Sequence, residues 1–196
     1  MKTNDDTMYL FFDTETTGLP KNWKAPVQDV SNWPRMVQIA WLLYNADGTR
    51  IDEKNFIIKP EGFSIPDEAV SVHGISTEKA MNDGKELDVV LKLFAEQIEN
   101  VDSLVAHNMS FDEKILGAEF IRKNIQNELF KKNRICTMKQ SVRYCKIPGR
   151  YGYKWPKLSE LHIELFGEDF KEAHDATVDI NATAKCFWKM KELKII

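Results

Sequence analysis

The sequence has few cysteines, no long apolar run and no apolar segment near its beginning. Its three cysteines, Cys136, Cys145 and Cys186, form neither an even set nor a C-x-x-C pair, which argues against a disulfide framework and against a zinc site. Every apolar run is shorter than the roughly 18 residues that span a bilayer, and the opening residues lack the apolar core of a secretory signal. We therefore expect a cytoplasmic protein without a membrane partner.

The apolar content that is present suits one folded domain. Of the 196 residues, 43% are hydrophobic and 29% are charged, which is the composition of a globular unit with a proper core. No internal repeat or linker divides the chain. We expect a single domain over residues 1–196, with residues 1–6 as a flexible tail.

Apolar periodicity predicts an α/β fold with a mixed sheet, because three antiparallel strands come first and later strands alternate with helices. Residues 20–35, with three prolines and two tryptophans, are predicted to form an ordered surface loop, and residues 151–156 a second loop. Ser110 and Glu113 have the spacing of a capping box. The predicted strands are the run from Met8 into Glu15 and residues 36–44, 51–59, 101–106 and 134–138; the predicted helices are two short pieces within 61–85, residues 86–100, 110–124, a helix ending near 145, 158–165 and 175–193.

The first strand runs directly into two carboxylates. Side chains alternate along a strand, so Asp13 and Glu15 point to the same face, together with Tyr9 and Phe11. Two like charges about 4 Å apart repel by roughly 4 kcal/mol at an effective dielectric near 20. Carboxylate oxygens suit Mg²⁺ or Mn²⁺. A hard divalent cation is therefore the expected partner, and a solvated strand end with two acids is the alternative.

Three further residues later in the chain have side chains suited to the same chemistry. Asp179 lies within about 60° of Ala176 on the apolar side of the last predicted helix. Asp175 can cap this helix, and His174 precedes it. Asp112 falls in the first turn of an earlier helix, where an acid also favours the helix dipole. Each residue alone has an ordinary structural explanation.

The net charge of −3 conceals a basic segment. Between Arg122 and Lys157 there are eleven Lys or Arg and one acid, so this segment carries +10 and the rest of the chain −13. Tyr144, Tyr151, Tyr153 and Trp155 are interleaved with these cations. Such a mixture can follow a phosphate backbone and stack on bases. A solvated basic face is the alternative.

Three motifs in order resemble those of the DEDDh, or DnaQ-like, 3′-5′ exonucleases of the RNase H-like fold. The resemblance extends over nearly the whole chain, and Val72-His73-Gly74-Ile75 is similar to a segment that the family has between its first two motifs. The motifs are Asp13-Thr14-Glu15-Thr16-Thr17-Gly18-Leu19, His107-Asn108-Met109-Ser110-Phe111-Asp112 and His174-Asp175-Ala176-Thr177-Val178-Asp179.

This resemblance implies an RNase H-like mixed five-stranded sheet and a two-metal phosphodiester site. Asp13, Glu15, Asp112 and Asp179 would hold two Mg²⁺ or Mn²⁺ ions. His174, with a reference pKa near 6.5, would be the general base that deprotonates the attacking water. The substrate would be the 3′ end of a single-stranded nucleic acid, with DNA favoured over RNA, and the product a nucleoside 5′-monophosphate.

The same resemblance implies where the terminal nucleotide binds. Thr14 and the backbone and hydroxyl of Thr16 would contact it, and Leu19 would wedge against the last bases. His107 and Phe111 would neighbour this pocket, with core packing as the alternative for Phe111. His73 is a weaker candidate, because a histidine before glycine often only satisfies backbone groups.

Other functions compete with this one. RNA 3′-end trimming, proofreading beside a DNA polymerase and repair all use the same chemistry, and a non-catalytic nucleic-acid-binding module could share the fold. The apolar strand before Asp13 also resembles the nucleophile motif of haloacid-dehalogenase-type phosphotransferases. That class needs Asp in place of Glu15 and an Asp-Asp pair downstream, and no such pair follows residue 6.

Overall fold

The computed structural model describes residues 7–170 and 175–196. Its strands are β1 Tyr9–Thr16, β2 Met36–Tyr44, β3 Arg50–Ile57, β4 Ser103–Ala106, β5 Asn133–Cys136, β6 Pro148–Gly149 and β7 Gly152–Tyr153. Its α-helices are α1 Asp67–His73, α2 Thr77–Asp83, α3 Leu87–Asn100, α4 Met109–Lys123, α5 Thr137–Gln140, α6 Val142–Cys145, α7 Leu158–Phe166 and α8 Ala176–Glu192, and a 3₁₀ turn covers Leu129–Lys131.

The central sheet has the strand order β3-β2-β1-β4-β5. β1 pairs antiparallel with β2, and β2 with β3, whereas β4 runs parallel to both β1 and β5. The predicted α/β fold, a mixed five-stranded sheet with an antiparallel meander and parallel strands, is therefore confirmed. Because β1, β4 and β5 are parallel, their carboxyl ends lie at one edge of the sheet, and the residues that follow each strand meet there.

β1 is buried on both faces, which explains why its sequence is a continuous apolar run. On one face Phe12 packs against Phe94 of α3, with ring centroids 5.5 Å apart. On the other face Tyr9 and Phe11 pack against Phe187 of α8, at 5.3 and 5.1 Å. The strand that carries the two acids is thus fixed between two helical layers.

The loop at residues 20–35 is tied to α4 by a buried ionic network. Glu119, which is fully buried, accepts hydrogen bonds from Arg35 Nε at 2.9 Å and from the backbone N–H of Met36 at 3.0 Å. Arg122 pairs with the same carboxylate and also donates to the carbonyl of Trp33 at 2.7 Å. The loop therefore has a defined position beside the helix that carries Asp112.

Several details differ from the sequence-based expectations. α4 begins at Met109, and its N-cap is Asn108 in the left-handed region, so the Ser110–Glu113 capping box is wrong. Residues 151–156 are not wholly loop, because Gly152 and Tyr153 pair with Pro148 and Gly149 in a short hairpin. β3 ends at Ile57 and is followed by a single bridge between Ile58 and Lys85.

The expectations for two segments are not tested by this fold. Residues 1–6, the predicted tail, and His174 lie outside the described residues. Among the helices that the structure describes, none is both long and apolar enough to cross a bilayer.

Candidate active site

Three carboxylates meet at the carboxyl end of β1. Asp13 and Glu15 project from the same face of the strand, and Asp179 projects from the first turn of α8. Each offers one carboxylate oxygen, and these three atoms lie within 4.8 Å of one another. The structure therefore brings together three of the four acids that the motifs single out.

The position of Asp179 follows from how the start of α8 is held. Asp175 caps the helix, accepting hydrogen bonds from the backbone N–H groups of Thr177 at 2.8 Å and Val178 at 3.3 Å. Gln38 of β2 accepts from the N–H of Ala176 at 3.4 Å. These bonds connect the first turn of α8 to the sheet, so the predicted cap at Asp175 is confirmed.

The fourth acid, Asp112, reaches the site from α4 and is held by Thr14. Its Oδ1 accepts hydrogen bonds from the hydroxyl of Thr14 at 2.8 Å and from the N–H of Thr14 at 3.2 Å. Asp112 is almost fully buried. Thr14 follows Asp13 in β1, and Asp112 lies close enough to Asp13 to be the strongest source of repulsion on its carboxylate. Asp112 is not one of the three whose oxygens cluster.

Burial raises the pKa values of three of the acids, and repulsion between neighbouring carboxylates adds to the shift at Asp13 and Glu15. Burial, followed by repulsion from Asp112 and Glu15, raises the pKa of Asp13 well above its ordinary value. Burial, followed by Asp179 and Asp112, raises the pKa of Glu15 to about 8. Burial also raises the pKa of Asp112 to about 7, although its hydrogen bonds from Thr14 oppose the shift. A desolvated set of oxygen donors with the same charge fits a hard divalent cation, which would relieve this repulsion.

A cleft of about 470 Å³ opens beside the acids. Leu19 at its rim is 73% exposed although its side chain is apolar. The hydroxyl of Thr16 donates to the carbonyl of Gly18 at 2.7 Å, which shapes the turn after β1. The cleft is lined by residues of the first motif, Thr14, Glu15, Thr16, Thr17, Gly18 and Leu19, by Pro66, Glu68, Ala69, Val72 and His73 around α1, and by Phe111 of α4.

His73 lines this cleft with a neutral ring. Its Nδ1 accepts a hydrogen bond from the N–H of Ile75 at 3.1 Å. Burial lowers the pKa of His73, and the nearby backbone carbonyl of Thr16 offsets part of that shift. The buried Nε2 itself has no hydrogen bond of ordinary geometry. His73 thus does satisfy a backbone group, as is usual for a histidine before glycine, while one edge of its ring faces the first motif.

His107 does not belong to the described lining of the cleft. Its Nε2 lies 3.1 Å from the carbonyl of Pro156, to which it must donate, and its Nδ1 lies 2.9 Å from the hydroxyl of Thr137. Burial lowers its pKa to about 4. The ring is therefore a neutral tie between the end of β4 and the segment before α7, and nothing in its described contacts directs it to a nucleotide.

Two features of the cleft were not predicted from the sequence. Trp23, half exposed, lies 5.7 Å from Phe111 between ring centroids, whereas Trp33 is buried and donates its indole N–H to the carbonyl of Pro26. The sequence left open whether these tryptophans flank the substrate or cover the sheet edge. Pro66 and Glu68 of the α1 region also line the cleft. The sequence feature that could have indicated them is the nearby Val72-His73-Gly74-Ile75 segment.

The basic segment divides into two parts with different environments. Every cation from Arg122 to Arg134 is bound within the protein: Arg122 to Glu119, Lys123 to Glu61, Lys131 to Glu128, Arg134 to Glu113, and Lys132 to the carbonyls of Glu99 and Val101. By contrast, Lys139, Arg143, Lys146 and Arg150 are exposed and form no ion pair with any described residue. The charge that remains available lies after β5.

Comparison with known proteins agrees with this architecture. The model of the exonuclease family RNase T matches residues 10–187. No curated protein sequence matches significantly.

Among solved structures, a zinc-bound complex of E. coli exonuclease I with single-stranded DNA superposes with a TM-score of 0.73 and 21% identity, over 96% of this chain and 41% of that one. The complex of E. coli exonuclease I with a dA16 oligonucleotide gives a TM-score of 0.75 and 18% identity, over 97% and 42%. This chain thus spans less than half of those proteins, and at such identities the likeness concerns the fold. The family match itself covers most of the chain and agrees with the resemblance drawn from the three motifs: the chain belongs to the RNase T exonuclease family.

Proposed function

We propose that this protein is a DEDDh-type 3′-5′ exonuclease that uses two divalent metal ions. The proposal depends above all on one observation, the clustering of Asp13, Glu15 and Asp179 within 4.8 Å in a chain of an exonuclease family. Buried carboxylates with raised pKa values need positive charge to become ionised together. A site that gathers them at a sheet edge is suited to metal binding.

Asp13, Glu15 and Asp179 would hold Mg²⁺ or Mn²⁺, with Asp112 contributing from α4. The bound ions would supply Lewis-acid activation of water and stabilisation of the leaving oxygen. Thr14 acts through Asp112, because its hydroxyl and N–H hold one carboxylate oxygen in place. His174 is proposed as the general base; the Asp175 cap fixes the first turn of the helix that follows it.

The cleft beside the acids is proposed to take the terminal nucleoside. Phe111 offers an aromatic wall, Leu19 an exposed apolar wedge, and Thr16 and His73 polar edges. Because Glu15 belongs both to the cleft and to the acid cluster, a nucleoside bound there has its phosphate next to the carboxylates. For His107 we retain only a supporting role, because both ring nitrogens contact the protein.

The proposed substrate is the 3′ end of single-stranded DNA, and the product a nucleoside 5′-monophosphate. The fold neighbours support this choice, because E. coli exonuclease I is described in complex with single-stranded DNA. RNA remains the alternative polymer, and a polymerase or repair partner the proposed setting. Neither cleft nor acids distinguish DNA from RNA by charge, since the phosphodiester is common to both.

Digestion of end-labelled single- and double-stranded DNA and RNA in Mg²⁺, Mn²⁺ or EDTA tests the proposal. We expect stepwise shortening of 5′-labelled single-stranded DNA, release of mononucleotides, and no reaction in EDTA. Asp13→Asn is the matched inactive control. Faster shortening of RNA would assign the chain to RNA 3′-end trimming. Binding of single strands without any nucleotide release in Mn²⁺ would favour a non-catalytic module.

A further inference from the structure

A short hairpin after α6 exposes three aromatic side chains. We call residues 146–157 the aromatic hairpin; it contains β6 and β7. Tyr151 is 89% exposed, Trp155 62% and Tyr153 55%. Burying an aromatic side chain is strongly favourable, so three exposed rings on one small hairpin do not serve the core. Their placement indicates a surface for a ligand.

The charge of this surface selects the class of ligand. Lys146 and Arg150 in the hairpin, and Lys139 and Arg143 just before it, are exposed and form no ion pair with a described residue. The guanidinium of Arg150 lies 5.2 Å from the ring of Tyr151. Cations interleaved with accessible aromatic rings suit a polyanion with stackable bases. An apolar protein surface would leave these cations uncompensated.

The hairpin is anchored at the edge of the sheet where the acids lie. Phe11 of β1 is level with Val105 of β4, and Ala106 with Cys136 of β5, so continuing the register puts His107 level with Asp13. His107 holds the carbonyl of Pro156, a buried residue between two exposed ones, at 3.1 Å. Because strands lie about 5 Å apart, the backbone of His107, whose side chain holds the hairpin, is roughly one strand spacing from that of Asp13.

The α1 wall of the cleft and the anchor of the hairpin lie toward opposite neighbours of β1. The α1 residue Ala69, in the cleft lining, packs with Val37 at the beginning of β2. In the sheet order β3-β2-β1-β4-β5, the α1 wall therefore lies toward β2, Asp13 and Glu15 lie on β1, and His107, which holds the hairpin, follows β4. Phe111 of α4 closes the cleft from the β4 side. A strand whose terminal nucleoside lies against the α1 wall, with its next phosphate at the acids of β1, would continue toward β4 and the hairpin anchor.

We propose that the aromatic hairpin stacks the unpaired bases of the substrate strand upstream of its terminal nucleotide. The inference rests on the proposed function and adds to it a second binding surface. Bases must be unpaired to stack on Tyr151, Tyr153 and Trp155, so the hairpin favours single strands over duplexes. Its neighbouring cations follow the phosphates of the same nucleotides.

Two substrates of different length separate this role from the chemistry. An oligothymidylate of about 20 nucleotides is long enough to reach a second surface, whereas the p-nitrophenyl ester of thymidine 5′-monophosphate occupies the cleft and acids alone. The variants are Tyr151→Ser, Tyr153→Ser and Trp155→Ser, singly and combined. Matched controls are Tyr151→Phe, Tyr153→Phe and Trp155→Phe, which keep an aromatic ring at each position.

For each serine variant we expect the KM for the oligonucleotide to rise roughly five-fold or more, with unchanged kcat/KM for the ester, and the phenylalanine controls to retain most of the affinity. An unchanged oligonucleotide KM in the combined variant would overturn the inference. Equal losses on both substrates would also overturn it, because they would indicate a structural effect through Pro156 and His107.

A binding measurement keeps this test separate from the proposed function. Fluorescence anisotropy of the labelled oligonucleotide in EDTA requires no turnover. If the wild-type protein hydrolyses neither substrate, the proposed function fails, and weaker oligonucleotide binding by the serine variants still supports the hairpin surface. If the wild-type protein does not bind the oligonucleotide at all, the inference fails and a protein partner becomes the candidate occupant.

Discussion

The acid cluster and the aromatic hairpin both concentrate charge of one sign, but they do so in opposite environments. Asp13 and Glu15 project from a core strand, and burial is the largest cause of their raised pKa values. Lys146 and Arg150 of the hairpin, and Arg143 just before it, are exposed, so water screens their charges. The same Coulomb repulsion is therefore costly at one site and weak at the other. A buried cluster needs a compact ion, whereas a solvated one suits an extended polyanion.

The largest effect is expected from removing a charge from the acid cluster. Asp13→Asn and Asp179→Asn are expected to lower turnover by more than about 10³-fold, because the site loses a charged ligand for the metal. The measurement is release of mononucleotide from 5′-labelled single-stranded DNA in Mg²⁺.

The matched control is Asp88→Asn, which changes a partly exposed acid of α3 that pairs with Lys92. It should retain full activity. Substantial turnover by Asp13→Asn in a preparation free of the wild-type protein would contradict the metal site.

The next effect concerns the proton acceptor. His174→Ala is expected to slow kcat by on the order of 10² to 10⁴-fold while leaving metal binding intact. Single-turnover rates report the chemical step, and calorimetric titration with Mn²⁺ reports the metal. Parallel loss of both would assign His174 a role in forming the site instead of accepting a proton.

A smaller effect is expected from breaking the hydrogen bond between Thr14 and Asp112. Thr14→Val removes the hydroxyl that donates to Asp112 at 2.8 Å and should lower kcat about 10- to 100-fold, the usual range for residues that orient ligands. Thr14→Ser retains the hydroxyl and is the control. Equal activity of the valine and serine variants would show that the backbone N–H of Thr14 alone orients Asp112.

Changing the exposed cations at the aromatic hairpin is expected to affect substrate binding and not the chemical step. Reversing Arg143, Lys146 and Arg150 to Glu should weaken oligonucleotide binding and reduce the slope of log K against log salt by about 2, because each phosphate contact contributes about 0.7 for single strands. Reversing Lys92, Lys131 and Lys189, which pair with acids elsewhere, changes the net charge equally. A similar slope change in both variants would mean that the net charge of the protein, and not the position of these three cations, determines the salt dependence.

These two regions also differ in how far the sequence alone could define them. Alternation along β1 and the helical period at Asp179 sufficed to predict where three acids project, because strand and helix periods fix side-chain direction. The partner of Asp112 could not be predicted, because the Thr14 contact joins residues 98 positions apart.

Long-range contacts limited the prediction of the basic segment in the same way. Its composition gave eleven cations equal weight, yet Lys132 is bound to the end of α3 and Arg134 to Glu113. The short β6–β7 hairpin was also missed, because two-residue strands leave no periodicity to detect.

The last effect concerns the stability of the metal-free protein and not its activity. Folding raises the pKa of Glu15 from 4.5 to about 8, so between these values the folded protein binds more protons than the unfolded chain. Stability must then fall as the pH rises through this window, and Mg²⁺ should oppose the fall by favouring the ionised carboxylates. Thermal unfolding in EDTA from about pH 5 to 8, repeated with Mg²⁺ and with Glu15→Gln, measures the linkage. Because Glu15→Gln removes one of the titrating groups, the melting temperature of the variant should depend less on pH. An identical pH dependence in the variant would mean that the Glu15 carboxylate is not the group whose pKa changes on folding.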